Sequence, residues 1–419
     1  MPTLSSASDL QIRQAENAFL LSQSAEFLLL LACCRAELRG SDDNACERLE
    51  RAARQVGNWQ RALELGEHHG VLPAVHQALC SSRPGRGMPG WVFSKDVLPP
   101  EVREEMDRRA AHQAKKNLRL AAELIHILGC LAAAGVEAIP HKGPVLAELV
   151  YGDLALRDFS DLDVLVRGGD IPRAKQALAK IGYKPNVELS EAEERAYIGS
   201  GYEYTFDGPA GKNLLELQWN FVPRFFAATF AMEAVFARSV AGSVAGRPVR
   251  MPAPEDLFLS MCVHAAKHLW GRLCWLRDLA HVVERIEIDW SRVQSEAKRL
   301  GVERIVGVSL TLAQILVGAE VSAARSALAG NSQRELGIAA KIAQHIPSAE
   351  DYSAESLDYV RWMLRLRENA RDRWRYVSRL LLTPSLGEWA WVKLPEPLFP
   401  LYRGVRLMRV SGRLLGMRH

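Results

Sequence analysis

Two aspartates separated by one residue form the part of this sequence that most clearly suggests chemistry. Asp161 and Asp163 come directly before or within an apolar run that continues through residues 164–166 and predicts a strand. Side chains two positions apart in a strand point to the same face, so both carboxylates should project together while Leu162 points into the core. Two neighbouring carboxylates repel each other unless a cation or a proton lies between them. Their hard oxygen atoms suit Mg²⁺, which proteins usually hold through one or two carboxylates plus substrate phosphates.

The segment upstream of these aspartates is suited to binding a phosphate group. Residues 136–140 predict a first strand, after which Lys142 and Gly143 turn the chain into a helix that has Pro144 in its first turn. Free N–H groups and the dipole at a helix start favour a phosphate, and glycine permits its close approach. Lys142 and Arg157 could neutralise or pair with that phosphate. Each of these cations could instead be a surface charge or part of an ion pair with a nearby acid.

A third carboxylate lies in a predicted β-hairpin. Residues 202–206 and 214–219 alternate between apolar and polar side chains on either side of a glycine-rich loop. Glu216 alternates with Leu215 and Leu217 and therefore faces away from them. Taken alone, Glu216 is expected on a solvated strand face. With the aspartate strand in the same sheet, we expect it to bind a metal or to act as a general base.

Taken in order, these residues resemble a bacterial family of uncharacterised nucleotidyltransferases, within the polymerase-beta-like superfamily. Its members typically have leucine-lysine-glycine, a helix, tyrosine-glycine, arginine, and serine-aspartate-x-aspartate. The matching residues here are His141-Lys142-Gly143, Tyr151-Gly152, Arg157 and Ser160-Asp161-Leu162-Asp163. Glu216 matches an acidic residue that the family often follows with leucine, histidine and tryptophan, and Gln218 stands where that histidine is common. His141 likewise stands where the family usually has an apolar residue.

The resemblance implies an enzyme that depends on Mg²⁺, or on Mn²⁺, and transfers a nucleoside monophosphate from a nucleoside triphosphate such as ATP while releasing pyrophosphate. The catalytic and metal-binding residues would be Asp161, Asp163 and Glu216. The residues that bind the nucleotide or its phosphates would be Lys142, Gly143, Arg157, Ser160 and, from a later helix, Lys267. The acceptor stays open among a small molecule, a peptide or protein, and an RNA. Two other functions also stay open, namely a catalytically inactive protein that binds a nucleotide or a partner, and a toxin-like enzyme that modifies tRNA.

The helix that begins near Pro252 extends the resemblance beyond the core. The residues that carry this match are Glu255, Asp256, His264, His268, Trp270, Trp275 and Asp278. His264 and His268 lie four residues apart on one helix face, but an H-E-x-x-H arrangement is absent from the sequence, so a zinc site is not expected there. We expect packing of buried polar side chains here, with Asp278 fixing His264 or Arg277.

Composition sets wider bounds on function. The 419 residues carry a formal net charge of +4, which permits binding to phosphates or nucleic acid but does not argue for either. Seven cysteines without a C-x-x-C pair indicate neither a disulfide framework nor a zinc module, and a cytoplasmic location is expected. The longest apolar run, residues 27–34, is far shorter than the roughly 20 residues that span a bilayer. The first residues show no pattern of a secretory signal.

The element pattern predicts an α+β fold, with a small mixed β-sheet nucleotidyltransferase core between N-terminal and C-terminal helical regions. The predicted division is 1–115 for the N-terminal helical region, 116–250 for the core and 251–419 for the C-terminal helical region. Residues 81–90 predict a surface loop, and residues 100–134 a long helix capped by Gly135. The basic tail from Pro397 has five arginines and no acid. It could dock weakly on an anionic membrane or a protein, or pack on the protein's own body.

Overall fold

The fold consists of many helices around a small mixed sheet, which confirms the expected α+β class. The computed structural model describes residues 7–39, 45–80, 93, 97–209, 211–328, 332–348 and 356–414. The loop predicted at residues 81–90 and the tail beyond residue 414 lie outside these described residues.

The strands of the described residues form one five-stranded sheet and one two-stranded hairpin. Their bounds are β1 Ala138–Pro140, β2 Leu162–Val166, β3 Lys184–Pro185, β4 Glu203–Gly208, β5 Gly211–Gln218, β6 Val240–Val244 and β7 Arg247–Met251. The large sheet has the order β1-β2-β5-β4-β3, in which only β2 and β5 run parallel among these pairs. The predicted hairpin of β4 and β5 is therefore confirmed, whereas the hairpin of β6 and β7 was not predicted.

Helices account for most of the remaining described residues. Their bounds are α1 Ala7–Leu20, α2 Ala25–Arg39, α3 Ala45–Arg54, α4 Trp59–His68, α5 Leu72–Leu79, α6 Pro100–Ala133, α7 Gly143–Leu146, α8 Ile171–Lys180, α9 Glu191–Ser200, α10 Met232–Ala237, α11 Pro254–Lys267, α12 Leu273–Arg285, α13 Trp290–Leu300, α14 Glu303–Leu312, α15 Ser322–Ala327, α16 Ser332–Ala343, α17 Leu357–Arg365, α18 Ala370–Leu382, α19 Leu386–Trp391 and α20 Tyr402–Leu414. Short 3₁₀ or π turns lie at Ala147–Tyr151, Leu154–Leu156, Gly168–Asp170, Arg224–Phe226, Ala313–Val317, Ile346–Ser348 and Glu396–Leu401.

The long helix α6 delivers the chain to the first strand through a defined cap. Gly135 has a φ of +69°, and its N–H donates to the carbonyl of Ala132 while the N–H of Val136 donates to that of Leu131. This pair of bonds is a Schellman motif, which needs a residue with positive φ and hence favours glycine. The predicted helix and its glycine cap are confirmed to within one residue. The predicted domain boundary at residue 116 falls inside α6, and the division into domains stays a prediction.

Apolar side chains form two buried clusters. In the first, Leu124 and Leu131 of α6 pack in the same cluster as Val164 of β2 and Leu217 of β5. Every residue of β2 is buried, as expected for a central strand covered on both faces. The second cluster joins helices before the sheet to helices after it, with Leu29 of α2 among its members. The sheet therefore sits on a helical body to which both ends of the described chain contribute.

The described part of the basic tail packs on the protein itself. Arg406 is buried and pairs with Glu388 of α19, which Arg409 also contacts. Helix α20 packs against α18 and α19. Docking of the tail on a membrane or a partner stays a prediction. Among the described helices, none combines the length and the hydropathy that a membrane span requires.

Candidate active site

The parallel pairing of β2 with β5 brings two of the predicted catalytic carboxylates side by side. Asp163 lies opposite Glu216 in the register of these strands, and Asp161 immediately precedes β2. Neighbouring strands are about 4.8 Å apart, so the two paired side chains share a small volume at one end of the sheet. The structure thus collects all three acids in one place, although Glu216 is far from the two aspartates in the chain. Their catalytic role stays a prediction.

The three carboxyl groups differ in their tendency to ionise. Burial and the charge of Asp163 raise the pKa of Glu216 to about 8, and the same two causes raise the pKa of Asp161. Burial also opposes ionisation of Asp163, but Lys142, His141 and a hydrogen bond from Glu216 outweigh it and lower the pKa of Asp163 to about 2. The site therefore has more acid than cation, and Glu216 keeps a proton near neutral pH.

The turn at Lys142 and Gly143 places the lysine cation beside these acids. Lys142 Nζ donates to Asp163 Oδ1 over 2.7 Å. Burial disfavours the charged lysine, yet the charges of Asp163 and Glu216 raise the pKa of Lys142 above its ordinary value. Gly143 has a φ of +52°, and a Cβ at this position would lie 3.3 Å from the carbonyl oxygen of Asp161. This turn therefore requires glycine both for its backbone angle and for its close approach to the aspartate segment.

A glutamine amide connects the carboxylates. Gln218 Nε2 lies 3.1 Å from Asp163 Oδ1, 2.8 Å from Glu216 Oε2 and 3.3 Å from Glu203 Oε2. With its nitrogen facing acids, Gln218 presents Oε1 to His141 Nε2 at 2.9 Å. Because an amide oxygen only accepts, His141 must carry its proton on Nε2. Gln218 thus bridges three acids to one imidazole.

His141 is neutral and fixed in this arrangement. Burial is the main cause that lowers the pKa of His141 to about 4, and Lys142 acts in the same direction. The described residues give its buried Nδ1 no hydrogen-bond partner. In the sequence, His141 and Gln218 stand out only as departures from a family pattern. Strand alternation could have placed Gln218 beside Glu216, but the contact with His141 depends on pairing between distant strands.

Lys267 reaches the same site from α11. Its Nζ lies 3.3 Å from Tyr202 Oη and 5.3 Å from the centroid of the Tyr202 ring. Burial lowers the pKa of Lys267, and the charge of Lys142 contributes, while Glu203 and Glu216 act against this change. Two half-buried lysines, on different elements, therefore lie at the carboxylate site. Lys267 was predicted as a nucleotide contact, and the structure brings it to the edge of the site.

Three aromatic rings continue the site beyond Lys267. His264, His268 and Trp275 form a group that we call the ring cluster. The ring centroids of His264 and His268 are 5.0 Å apart, and Trp275 lies 5.3 Å from His264 and 5.2 Å from His268. The His268 and Trp275 planes are inclined by 35°, whereas the other two pairs are more steeply tilted. His268 is exposed, and the other two rings are partly exposed.

A strained turn builds the ring cluster. Leu269 and Trp270, which directly follow His268, have φ values of +48° and +52°. Bulky residues seldom adopt this left-handed conformation, which costs about 1–3 kcal/mol for each residue. The cost is offset by the burial of Trp270, whose Nε1 donates to Ser309 Oγ over 3.0 Å. The turn reverses the chain into α12, so that Trp275 comes to face His268.

Arg157 forms an ion pair with a buried acid, which is the alternative that the sequence left open beside phosphate binding. Its Nε is 3.0 Å from Asp278 Oδ2 and 3.2 Å from Oδ1, and Tyr151 Oη donates to the same acid over 2.7 Å. The phosphate role of Arg157 stays a prediction. The expectation that Asp278 fixes His264 or Arg277 is wrong, because Asp278 holds Arg157 and Tyr151. Ser160 lies exposed beside Asp161.

A second buried pair adjoins the first. Arg277 contacts Glu37 of α2 through two bonds, Nε to Oε2 at 2.6 Å and Nη2 to Oε1 at 2.7 Å. Burial opposes ionisation of Glu37, but the charges of Arg277 and His281 hold its pKa well below the ordinary value. We refer to Glu37, Arg157, Arg277 and Asp278 as the ion-pair network. It ties α2 and the segment before β2 to α12.

The chemistry of the carboxylate site fits a divalent cation. Asp161, Asp163 and Glu216 offer hard oxygen ligands, and burial together with the charge of Asp163 raises the pKa of Glu216. Their ligand atoms do not all lie within 4.8 Å of one another. In the described residues, the group that does fall within this distance is His76, Cys80 and Asp107.

A large cavity lies apart from the carboxylates. Its volume is about 1100 Å³, and its walls come from α5, the first half of α6 and the segment around residues 151–158. His76 and Asp107 line it, but none of the acids that form the carboxylate site does. The cavity therefore does not contain the chemistry described above.

Comparisons with known proteins address the family. A family model described as uncharacterised nucleotidyltransferase matches residues 55–318, a range that includes every predicted site residue. The solution structure of the antibiotic-resistance factor ANT(2'')-Ia has 17% sequence identity and a TM-score of 0.26, with coverage of 46% of this chain and 90% of that chain. None of the curated proteins matches the chain.

Proposed function

This chain belongs to a family of uncharacterised nucleotidyltransferases, and on that premise we propose that it transfers a nucleoside monophosphate from a nucleoside triphosphate to an acceptor and releases pyrophosphate. We propose Mg²⁺ as the metal, with Mn²⁺ as a substitute, held by Asp161, Asp163 and Glu216. The acceptor is a small molecule, a peptide or protein, or an RNA.

One observation carries this proposal, the register that sets Asp163 beside Glu216. The parallel pair of β2 and β5 fixes two acids next to each other, and Asp161 adds a third. Acids brought together in this way raise one another's pKa, because two neighbouring negative charges repel. A bound cation removes this repulsion and so stabilises the ionised carboxylates. A bound divalent cation supplies charge neutralisation at the phosphates and at the attacking and leaving oxygens.

The chain's own residues provide the rest of the chemistry. Lys142 contacts Asp163 and Lys267 contacts Tyr202, and both lysines can neutralise phosphate oxygens as substrate binds. The turn at Gly143 lets a phosphate approach the backbone closely. Glu216 shares the cation or takes the proton from the attacking group of the acceptor, which requires its ionised form. Gln218 orients the carboxyl groups of Asp163 and Glu216 through its amide hydrogens.

A specific observation favours one alternative function. Asp163 Oδ1 already accepts from both Lys142 and Gln218. If these two contacts persist when nucleotide binds, the protein would bind a nucleotide without turnover. This chain would then share the fold and the nucleotide-binding site of its family but would lack the transfer activity.

The test of turnover is pyrophosphate release with each of the four nucleoside triphosphates, Mg²⁺ and cell extract as the source of acceptor. We expect release by the wild type and its loss, by at least about a hundredfold, in Asp161→Asn and Asp163→Asn. Asp358→Asn is the matched control, because the Asp358 side chain is 70% exposed on α17. Nucleotide binding without release from any of the four substrates would support the alternative, and a labelled substrate would mark the acceptor in the active case.

A further inference from the structure

The ring cluster has the composition and exposure of a surface for a flat ligand. His268 is exposed at the C-terminal end of α11, and Trp275 lies behind it with a centroid separation of 5.2 Å. Their planes are inclined by only 35°, so a third ring can lie over His268 with Trp275 as backing. Within the described residues, no hydrogen bond engages the ring nitrogens of His268 or Trp275.

The same surface is continuous with the carboxylate site. His268 directly follows Lys267, whose Nζ contacts Tyr202 Oη. Tyr202 precedes Glu203, which lies 3.3 Å from the amide nitrogen of Gln218, and that nitrogen lies 3.1 Å from Asp163 Oδ1. A molecule with phosphates near Lys267 would therefore extend its other end over His268.

The electrostatic setting also favours a neutral ligand group at the rings. Loss of hydration, with the charge of Lys267 beside it, holds the pKa of His268 below its ordinary value. Burial and the charge of Lys142 do the same for the pKa of His264. Both imidazoles are therefore neutral at pH 7. The two lysines can therefore bind phosphates, while the neutral rings beside them can bind an uncharged aromatic group.

We propose that the ring cluster is the subsite that binds the nucleobase of the nucleoside triphosphate, by stacking on His268 backed by Trp275. This inference rests on the proposed function, since it assumes phosphates between Lys142 and Lys267. The strained turn at Leu269 and Trp270 has a role in this arrangement, because it sets the angle between α11 and α12 and thereby the spacing of the two rings. Every nucleobase has a π-face, so stacking alone selects weakly among the four bases.

The test compares two ligands that share their phosphates. Calorimetry with Mg²⁺ measures binding of α,β-methylene-ATP, whose bridge prevents transfer, and of inorganic tripolyphosphate, which has no base. We expect His268→Ala to weaken binding of the ATP analogue between about fivefold and about a hundredfold, the range for loss of one stacking partner. Binding of tripolyphosphate should change less than about twofold.

Control variants separate stacking from folding. Trp275→Ala should resemble His268→Ala, and Trp275→Phe should keep most of the affinity because it keeps a ring. His126→Ala and Trp374→Ala, on exposed faces of α6 and α18, should leave both ligands unaffected. His268 is exposed, so its truncation leaves the apolar cores intact, and thermal melting would verify this.

The outcomes distinguish this inference from the function on which it rests. If the wild type binds tripolyphosphate and the ATP analogue equally well, the base makes no contact and the subsite is wrong while the phosphate site stands. If His268→Ala weakens both ligands alike, or neither, the stacking role is also wrong. If the wild type binds neither ligand, the proposed function and the subsite fail together.

Discussion

The carboxylate site and the ion-pair network are both buried and both rich in charge, but their charges are balanced differently. In the network each acid has a guanidinium partner, as in the two-bond contact of Arg277 with Glu37 and the pair of Arg157 with Asp278. In the carboxylate site Lys142 contacts Asp163, and burial with the charge of Asp163 raises the pKa of Glu216 to about 8. A balanced buried cluster holds helices together, whereas an unbalanced one is ready to bind a cation.

Removing one of the acids of the carboxylate site should change activity more than any other substitution described below. Glu216→Gln removes an ionisable group while keeping its shape, so we expect pyrophosphate release to fall by about 100- to 10,000-fold, the range for loss of a general base. Stability at pH 8 should stay the same or rise, because the neutral amide does not repel Asp163. Steady-state kinetics and urea unfolding of the same protein check both parts. Glu191→Gln, at a side chain that is 98% exposed, is the control.

In the ion-pair network, removing an acid is expected to lower stability. Asp278→Asn leaves the guanidinium of Arg157 buried without a charged partner, so we expect the free energy of unfolding to fall by about 3–5 kcal/mol. Urea unfolding measures this, with Asp358→Asn as the exposed control. A loss below about 1 kcal/mol would mean that Arg157 is not a structural cation, and its predicted phosphate role would become the better explanation.

The raised pKa of Glu216 also makes the stability of the protein depend on pH. The folded protein holds the Glu216 proton up to about pH 8, whereas the unfolded chain releases it near the ordinary value of 4.5. The folded state therefore binds more protons in this window, so stability falls as pH rises from about 5 to about 8. Relative to Glu216→Gln, the wild type should lose at least about 1.4 kcal/mol, the equivalent of a one-unit pKa difference. A difference between the two proteins that stays flat over this window would contradict the raised pKa.

The smallest expected effect concerns the imidazole that holds Gln218. His141→Leu removes the donor to Gln218 Oε1, so we expect a stability loss of about 1–3 kcal/mol for an unpaired buried acceptor. The rate should fall no more than about tenfold, because Asp163 and Glu216 remain. Unfolding and kcat/KM would be measured together. A loss of activity as large as that of Glu216→Gln would assign His141 a direct part in the chemistry.

The local features of the site can be predicted from the sequence, whereas its contacts between distant residues cannot. Alternation predicts the faces of Asp163 and Glu216, and Gly135 predicts the end of α6, because each depends on residues within a few positions. The partner of Arg157 could not be predicted, because Asp278 lies 121 positions further along the chain, after the last strand of the sheet. The contact of His141 with Gln218 likewise depends on which distant strands pair.

Turn conformation is the other feature that local patterns did not reveal. Leu269 and Trp270 adopt positive φ values that their residue types disfavour, and both side chains are buried. The predicted shared face of His264 and His268 is present, but the approach of Trp275 depends on that turn. A rule based on residue preferences therefore could not have found the ring cluster.

Proton release on Mg²⁺ binding reports directly on the protonated Glu216 of the carboxylate site. Calorimetry at pH 7 in two buffers of different ionisation enthalpy gives the number of protons released by the wild type and by Glu216→Gln. Since Glu216 holds a proton that a cation displaces, we predict release by the wild type that is absent in the variant. Mg²⁺ binding with equal proton release in both proteins, or no Mg²⁺ binding to the wild type, would contradict a carboxylate site that is short of positive charge.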